Sequence, residues 1–446
     1  MAQLSARLLG IILLVIFGGI VLHAPLSVFI GSLVPSADLV IKSWKEILML
    51  VAGVLLLAIL IRRKQTGLLR DFLFLLIGVY ALLHLVVMAL AWQGVLPSLS
   101  GLLIDLRYLF FFSLVYLALK LHPNWRTLFV KVGIVGALIV TLFGVLQLTV
   151  LPNDVLKHIG YDRTTIVPYL TVDDNPAFVR INSTLRGPNP LGAYVVIVLA
   201  ALSAFVLKGN MRTRKLEIWA AVLAAGGVMV VAATYSRSAW LALMAAILIV
   251  VAVSLRKQFS KKTWAIVGSS LVVIGALTVG ASLTTWGHHF LSTVVLHEDP
   301  NGGNEINSNE GHADSIEQAW SQVALHPAGV GVGSTGSASL LGDSPIIIEN
   351  QYLFIAHEVG WFGILLFVLI LLVVLVRLWQ VRSDWLALGT FASGIGLALI
   401  GVLQPVWVDD TVSIVWWGLA AVVLATPQIA KPTIHRSRRI GRHQPR

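Results

Sequence analysis

The stretch YLFIAHEVGWFGILLFVLILLVVLV, Tyr352–Val376, runs for 25 residues with one acidic side chain and no lysine or arginine, and stops at Arg377. At about 1.5 Å of rise per residue, a helix of this length spans the roughly 30 Å hydrocarbon core of a bilayer. Apolar runs near that length recur on both sides of it. Upstream are Leu8–Ile30, Trp44–Ile61, Phe72–Trp92, Leu102–Leu119, Leu128–Val150, Leu191–Leu207, Ile218–Ala233, Ala239–Leu255 and Trp264–Leu283; downstream are Trp385–Leu403 and Thr411–Thr426. The whole chain of 446 residues is 57% hydrophobic and only 12% charged, with a mean hydropathy of +0.87. Soluble domains carry about 25% charged residues, so this chain lacks the polar side chains to cover a particle in water. A soluble enzyme and a disordered or fibrous chain are both excluded.

The net charge of +11 points to nucleic acid in a soluble protein, but here its distribution decides its meaning. With the N-terminus inside, alternate loops collect Arg7, then Arg62, Arg63, Lys64 and Arg70, and then Lys120, Arg126 and Lys131. Lys208, Arg212, Arg214 and Lys215 follow on the same side, with Arg256, Lys257, Lys261 and Lys262, with Arg377 and Arg382, and with six basic residues from Lys431 to Arg446. These are 24 of the 32 lysines and arginines, against only Asp71, Glu217 and Asp384 among 21 acids. Such asymmetry is the positive-inside signal. It predicts an all-α integral membrane protein of about twelve transmembrane helices, multi-pass in the cytoplasmic (inner) membrane, with both termini cytoplasmic. The charge excess is an orientation signal, and no nucleic-acid partner follows from it. Arg7 precedes a run too long for a signal peptide and without a clear cleavage site, so the first run reads as a span.

The resulting organisation is a five-span bundle over residues 1–150, an outer-face loop over 151–190, four spans over 191–285, a large outer-face loop over 286–349, three spans over 350–426 and a basic cytoplasmic tail over 427–446. The second long loop reads as partly helical: Asp314–Leu325 puts Ile316, Ala319, Trp320 and Val323 on one face. Loops this long are uncommon unless they carry function, which directs attention to the outer face. No repeat of 20–50 residues is visible. With no cysteine in the chain, thiolate chemistry and cysteine metal sites are excluded.

Four polar segments stand out. In Arg180-Ile-Asn-Ser-Thr-Leu-Arg-Gly-Pro-Asn-Pro190, Arg180 and Arg186 precede a helix whose start is signalled by Asn189 and Pro190. Planar guanidinium groups beside a helix N-terminus suit a phosphate, and lipid headgroups are the plain alternative. In Tyr235-Ser-Arg-Ser-Ala-Trp240, Arg237 stands against the positive-inside trend, which favours function over a solvated turn. Gly331, Gly333 and Gly336 spell G-x-G-x-x-G, but no βαβ unit surrounds them, so they read as a tight loop and not a nucleotide site. Glu349 precedes Asn350 at the start of the Tyr352 span and reads either as a general base or as a helix-capping acid. His357 and Glu358 lie deeper in that helix, with a structural role favoured. Asp105 and Arg107, spaced i,i+2, do not share a helix face and are expected to pair with other helices. The pairs Asp173-Asp174 and Asp409-Asp410 show no complete metal-ligand set.

Taken in order, Arg180-x-x-Ser-Thr-Leu with Pro188-Asn189, Ser236-Arg-Ser-Ala-Trp240, Pro327-x-Gly-Val-Gly331, and Asn350-x-Tyr-Leu with Gly360-x-x-Gly363 resemble the O-antigen ligase and polymerase family of membrane glycosyltransferases. The resemblance covers under half of the chain. It implies a multi-span fold with an outward cavity, and transfer of a glycan from an undecaprenyl-diphosphate carrier to an acceptor sugar hydroxyl on a glycan or glycolipid, with no metal or other cofactor. It assigns Arg180 and Arg237 to the diphosphate, with Arg186 as an addition, and makes Asn189, Asn350 and His326 substrate-binding. Glu349 falls where the ligases usually carry His, and it inherits the role of base; His326 and His312 are the other candidates. Glu ionises about two units below His, which leaves ligation and chain extension both open. A secondary transporter or flippase for an anionic solute is the other class of reading. Transporters commonly show repeated halves and sites near the midplane; here no repeat is visible and the candidates gather at one face, which favours the transferase.

Overall fold

The computed structural model describes residues 2–172, 175–209, 213–256 and 308–425, together with residues 258, 260, 280 and 284. The expected ninth span Trp264–Leu283, the pair Asp173-Asp174, residues 286–307 of the large loop and the basic tail lie outside the described residues.

The elements are α1 (Ala2–Gly19), α2 (His23–Leu33), α3 (Asp38–Lys42), α4 (Trp44–Arg62), α5 (Phe72–Leu90), α6 (Val95–Leu121), α7 (Arg126–Thr149), β1 (Leu170–Val172), β2 (Asn175–Arg180), α8 (Pro188–Lys208), α9 (Arg214–Ala233), α10 (Arg237–Leu255), α11 (Ser308–Leu325), α12 (Gly336–Ser339), α13 (Gln351–Gln380), α14 (Trp385–Ile400) and α15 (Asp410–Ala425). Among the described residues, nine helical segments are long and apolar enough to cross a membrane, and α14 and α15 are shorter apolar helices. The protein is a helical, multi-pass membrane protein. The hairpin β1–β2, which pairs Leu170 with Arg180 and Thr171 with Val179, is the strand structure among the described residues.

The surrounding solvent is legible on α4. Met49, Ala52, Leu56 and Ile59 are buried, while Leu50, Val54, Leu57 and Ile61 form an exposed apolar stripe on the other side. A helix apolar on both faces suits packing on one side and lipid on the other. Helix starts are set by side-chain acceptors: Asp71 caps α5 through the amide of Leu73, and Asp384 caps α14 through those of Leu386 and Ala387. Asp71 also accepts both branches of the Arg377 guanidinium at 2.8 and 2.7 Å, which ties the start of α5 to the far part of α13. This bidentate bond holds the Asp71 carboxyl below the usual carboxylate range, against the opposing effect of partial burial.

α14 packs against α8 and α10. Small residues allow the close approach: a Cβ on Gly389 would lie 2.5 Å from Cα of Ala201, and one on Gly396 would lie 3.0 Å from the carbonyl of Ala242. α15 packs on α6, where Trp417 sits edge-on to Phe112 at 5.8 Å and joins Trp407 and Trp416 in a buried indole cluster. Two expected spans are less regular than their apolar runs. The first is interrupted at Ile20–Leu22 by a tighter turn, and α13 is broken at Val359 and Gly360. α8, α10, α13 and α15 all begin at one end of the bundle, and that end carries the candidate site.

Candidate functional site

β2 ends on Arg180, whose guanidinium spans two elements. Its Nε donates to the carbonyl of Thr234 at 2.8 Å, and its Nη2 to Oδ1 of Asn189 at 2.7 Å. The next residues are fastened to α7 and the preceding loop. Asn182 donates to the carbonyl of Val167, the amide of Ser183 donates to Oε1 of Gln147, and the Ser183 hydroxyl donates to the carbonyl of Val140. The motif serine therefore acts as a fastener. Helix α8 begins at Pro188, not at the expected Asn189–Pro190, because proline fits the first helical position and extended Gly187 precedes it. Arg186 is exposed and near enough to Asp409 to act on its charge.

The turn from α9 into α10 supplies the second arginine. Thr234 accepts the amide of Ser236, Tyr235 takes a left-handed φ of 50°, and Arg237 opens α10 half-buried. One residue on, the Ser238 hydroxyl accepts Nε2 of Gln404 at 2.7 Å.

The start of α13 is bolted to the same turn that carries Gln404. The amide of Gln351 donates to the carbonyl of Gly401 at 2.8 Å, Nδ2 of Asn350 donates to that of Val402 at 2.7 Å, and the amide of Trp407 donates to Oε1 of Gln351 at 2.7 Å. Asn350, not Glu349, caps the helix by accepting the amides of Tyr352 and Leu353. Both ends of the Asn350 amide are thus engaged in positioning. Glu349 is half-buried, and its amide donates to the Ser315 hydroxyl of α11. The turn at 401–409 therefore joins the Arg237 end of α10 to the Glu349 end of α13, with Asp409 within electrostatic reach of Arg186. Asp409 also accepts the amide of Val412 at the start of α15.

The glycine-rich segment fills the break in α13. With the helix interrupted at Val359–Gly360, the carbonyls of His357 and Glu358 are left for outside donors, and the amides of Val330 and Gly331 provide them at 2.7 and 3.1 Å. The amide of Gly333 donates to Oε1 of Glu358. Gly333 has φ +85°, and a Cβ there would fall 2.1 Å from the carbonyl of Pro97, so only glycine fits. The G-x-G-x-x-G spacing builds a plug in a helix. His326 is exposed at the end of α11 and lies near His357, whose two ring nitrogens have no hydrogen-bond partner. His326 is thus grouped with the plug and not with the α13 start. On α11, Ala319 and Val323 are buried as expected, whereas Trp320 is 56% exposed and stands edge-on to Trp361 at 5.7 Å.

Asp105 and Arg107 pair with other helices. Asp105 lies 3.7 Å from Nε2 of His84 on α5, and Arg107 lies 3.6 Å from Glu46 on α4. Arg107 also pairs with Asp410, which accepts Lys45 at 2.8 Å and faces His23 at 3.0 Å. Lys45, Glu46 and Arg107 are all under 9% exposed. Of the 409–410 pair, Asp410 joins this cluster directly, while Asp409 accepts the amide of Val412 and feels the charges of both Arg186 and Arg107.

Sequence reading missed Gln147, Gln351 and Gln404, the amides that fasten the arginine-bearing and glutamate-bearing segments. Each is a polar but uncharged residue within or beside an apolar run, which marks it only weakly. The whole arrangement is a set of cationic side chains with the carboxylates Glu349 and Asp409 at the ends of packed helices, and such a set can hold an anionic leaving group and supply a proton acceptor. Among curated proteins none matches the chain. A family model described as O-antigen ligase matches residues 219–368, from α9 through the break in α13, so this third of the chain is similar to the O-antigen ligase family.

Proposed function

We propose that the protein transfers an oligosaccharide or polysaccharide from an undecaprenyl-diphosphate carrier to an acceptor sugar hydroxyl on the outer face of the cytoplasmic membrane. The match of residues 219–368 to the O-antigen ligase family model supports a membrane glycan transferase of that kind. The observation that carries the finer reading is the 401–409 turn, which links the helix starts bearing Arg237 and Glu349 and brings Asp409 near Arg186.

In this reading Glu349 accepts the proton of the acceptor hydroxyl as its oxygen bonds to the anomeric carbon. The bond from that carbon to the phosphate oxygen breaks, and the departing diphosphate takes the electron pair. Arg180 and Arg237, with Arg186, stabilise the charge that develops on it. Arg180 is preorganised by its bonds to Thr234 and Asn189, so little ordering remains for the reaction. The positive-inside distribution of lysine and arginine supports cytoplasmic termini and an outer site.

The test is reconstitution in vesicles with an undecaprenyl-diphosphate oligosaccharide and candidate acceptors, with the product resolved by mass. Arg237→Ala and Glu349→Gln, inserted and folded normally, are expected to lose turnover. Native turnover in both variants overturns the site. Counterflow of a labelled anionic solute with no glycan product overturns the transferase.

A further inference from the structure

The end of the bundle away from the arginines holds an apolar crevice. Helices α7, α8, α9, α14 and α15 leave a cavity of about 290 Å³ between them, lined by Ala137, Ala201, Phe205, Trp219 and Trp385 among others. Nearly all of its wall is hydrocarbon. Toward the arginine end α7 and α9 close together: a Cβ on Gly144 would meet Val230 at 2.8 Å, and one on Gly226 would meet Thr141 at 3.1 Å. This contact closes the crevice between α7 and α9 toward that end.

The other end of the crevice opens beside a cluster of cations. Phe205 and Trp385 stand edge to face at 5.0 Å. Lys208 follows Phe205 by one helical turn on the same face, and Arg382 precedes Trp385 by three residues. The Lys208 ammonium donates to the carbonyl of Arg382 at 2.8 Å, and Arg382 and Arg256 are both close enough to repel its charge. Arg214 and Lys215 begin α9 at the same end. Of the acids there, Asp384 is engaged by Arg126 at 2.6 Å, and Glu217 lies in the first turn of α9. Lys208 thus stands between Arg382, whose guanidinium stacks on the Trp379 ring at 4.1 Å, and Arg256, and this positive charge adjoins the hydrocarbon slot.

We propose that Lys208, Arg382 and Arg256, with the crevice between α7, α8, α9 and α14, bind an anionic phospholipid of the bilayer. The phosphate lies on the three cations and an acyl chain lies against Phe205, Ala201 and Ala137. Inorganic phosphate would use the cations and leave the crevice unfilled. A zwitterionic lipid would fill the crevice but bring its own cation to the cluster. Only an anionic lipid uses both features, as basic pockets between membrane helices do elsewhere. The polyprenyl tail of the donor is the competing occupant, and its displacement of the phospholipid is an outcome of the test.

The experiment is native mass spectrometry of the detergent-purified full chain with phosphatidylglycerol or phosphatidylcholine of matched acyl length. Phosphatidylglycerol is expected to be retained about tenfold more tightly, the size of one charge-assisted contact. The double variant Lys208→Ala/Arg382→Ala is expected to erase that preference. Ala137→Leu, which narrows the slot and leaves the cations in place, is expected to weaken retention of both lipids. Equal retention of the two lipids by the native chain overturns the proposal. So does native retention of phosphatidylglycerol in both variants, or displacement of phosphatidylglycerol by an equimolar polyprenyl phosphate.

Discussion

Gln404 donates to the Ser238 hydroxyl at 2.7 Å across 166 residues of sequence. Its neighbours Gly401 and Val402 accept the start of α13 through Gln351 and Asn350. A single turn between α14 and α15 therefore sets where Arg237 lies relative to Glu349. Neither Gln404 nor Gly401 has a place in the proposed chemistry, yet the geometry of that chemistry depends on them.

Gln404→Leu should expose that dependence. The leucine fills similar volume but leaves Ser238 without its donor. Turnover is expected to fall about tenfold with a smaller change in KM, because misplacement by a fraction of an ångström acts on the reacting geometry. In an Arg237→Ala background the same change should cost little more, since the bond acts through the arginine's helix. Additive losses in the double variant would show that Gln404 does not work through α10.

Arg180 offers a sharper discrimination. Its fork bonds the Thr234 carbonyl and Asn189 together, and a lysine ammonium lacks that planar geometry. Arg180→Lys keeps the charge, so a purely electrostatic role would survive it. Preorganisation predicts a drop of about a hundredfold in kcat, of the order seen when one oriented donor is lost. Single-turnover kinetics with Asn189→Ala beside it provide the check, with Asn189→Ala giving the smaller loss.

The spans were legible because lipid imposes one rule on every segment, that a crossing helix be long and apolar. Arg237 stands out in the sequence against the charge trend, and the structure places it at the start of α10. The glutamines do not stand out: a neutral amide at the edge of an apolar run carries no charge signal, and the partners of Gln404, Gln351 and Gln147 lie 166, 56 and 36 residues away. The break at Gly360 was hidden for a related reason. A glycine in an apolar run is ambiguous until the segment that fills the break is known, and that segment, Val330–Gly333, is contributed by a separate loop. Trp320 had the right helical period for a buried face, but it rests against Trp361 at the edge of that face and remains half-open.

The Asp71–Arg377 pair predicts a pH dependence whose sign follows from its cause. Arg377 holds the Asp71 carboxyl below its ordinary value, so the unfolded state binds this proton more readily. The stabilisation is fully present above the unfolded carboxylate pKa of about 3.9 and is lost as pH falls through the lower folded value. The pair is partly open to solvent, so its contribution is about 1 kcal/mol or less. Arg377→Gln should lower the thermal midpoint slightly at pH 7. The gap to the native chain should shrink below pH 4. A gap of constant size down to pH 3 would mean that Arg377 stabilises by packing alone.

The buried cluster at the head of α15 should respond more strongly. Lys45 and Arg107 face Glu46 and Asp410 with almost no exposure to water for three of the four. Removing Arg107 leaves Glu46 and Asp410 to share Lys45, an excess buried negative charge, and breaking such a buried set typically costs about 3–5 kcal/mol. Arg107→Met should therefore lower the unfolding midpoint sharply. Adding Asp410→Asn removes the excess charge, so the double variant is expected to recover part of the loss although it carries more changes. Because Asp410 adjoins Asp409, which is within electrostatic reach of Arg186, the single variant should also depress glycan transfer in the fraction that stays folded. A double variant at least as unstable as the sum of the two singles would show that these charges are not a balanced unit, and that the start of α15 is held by packing of its tryptophans instead.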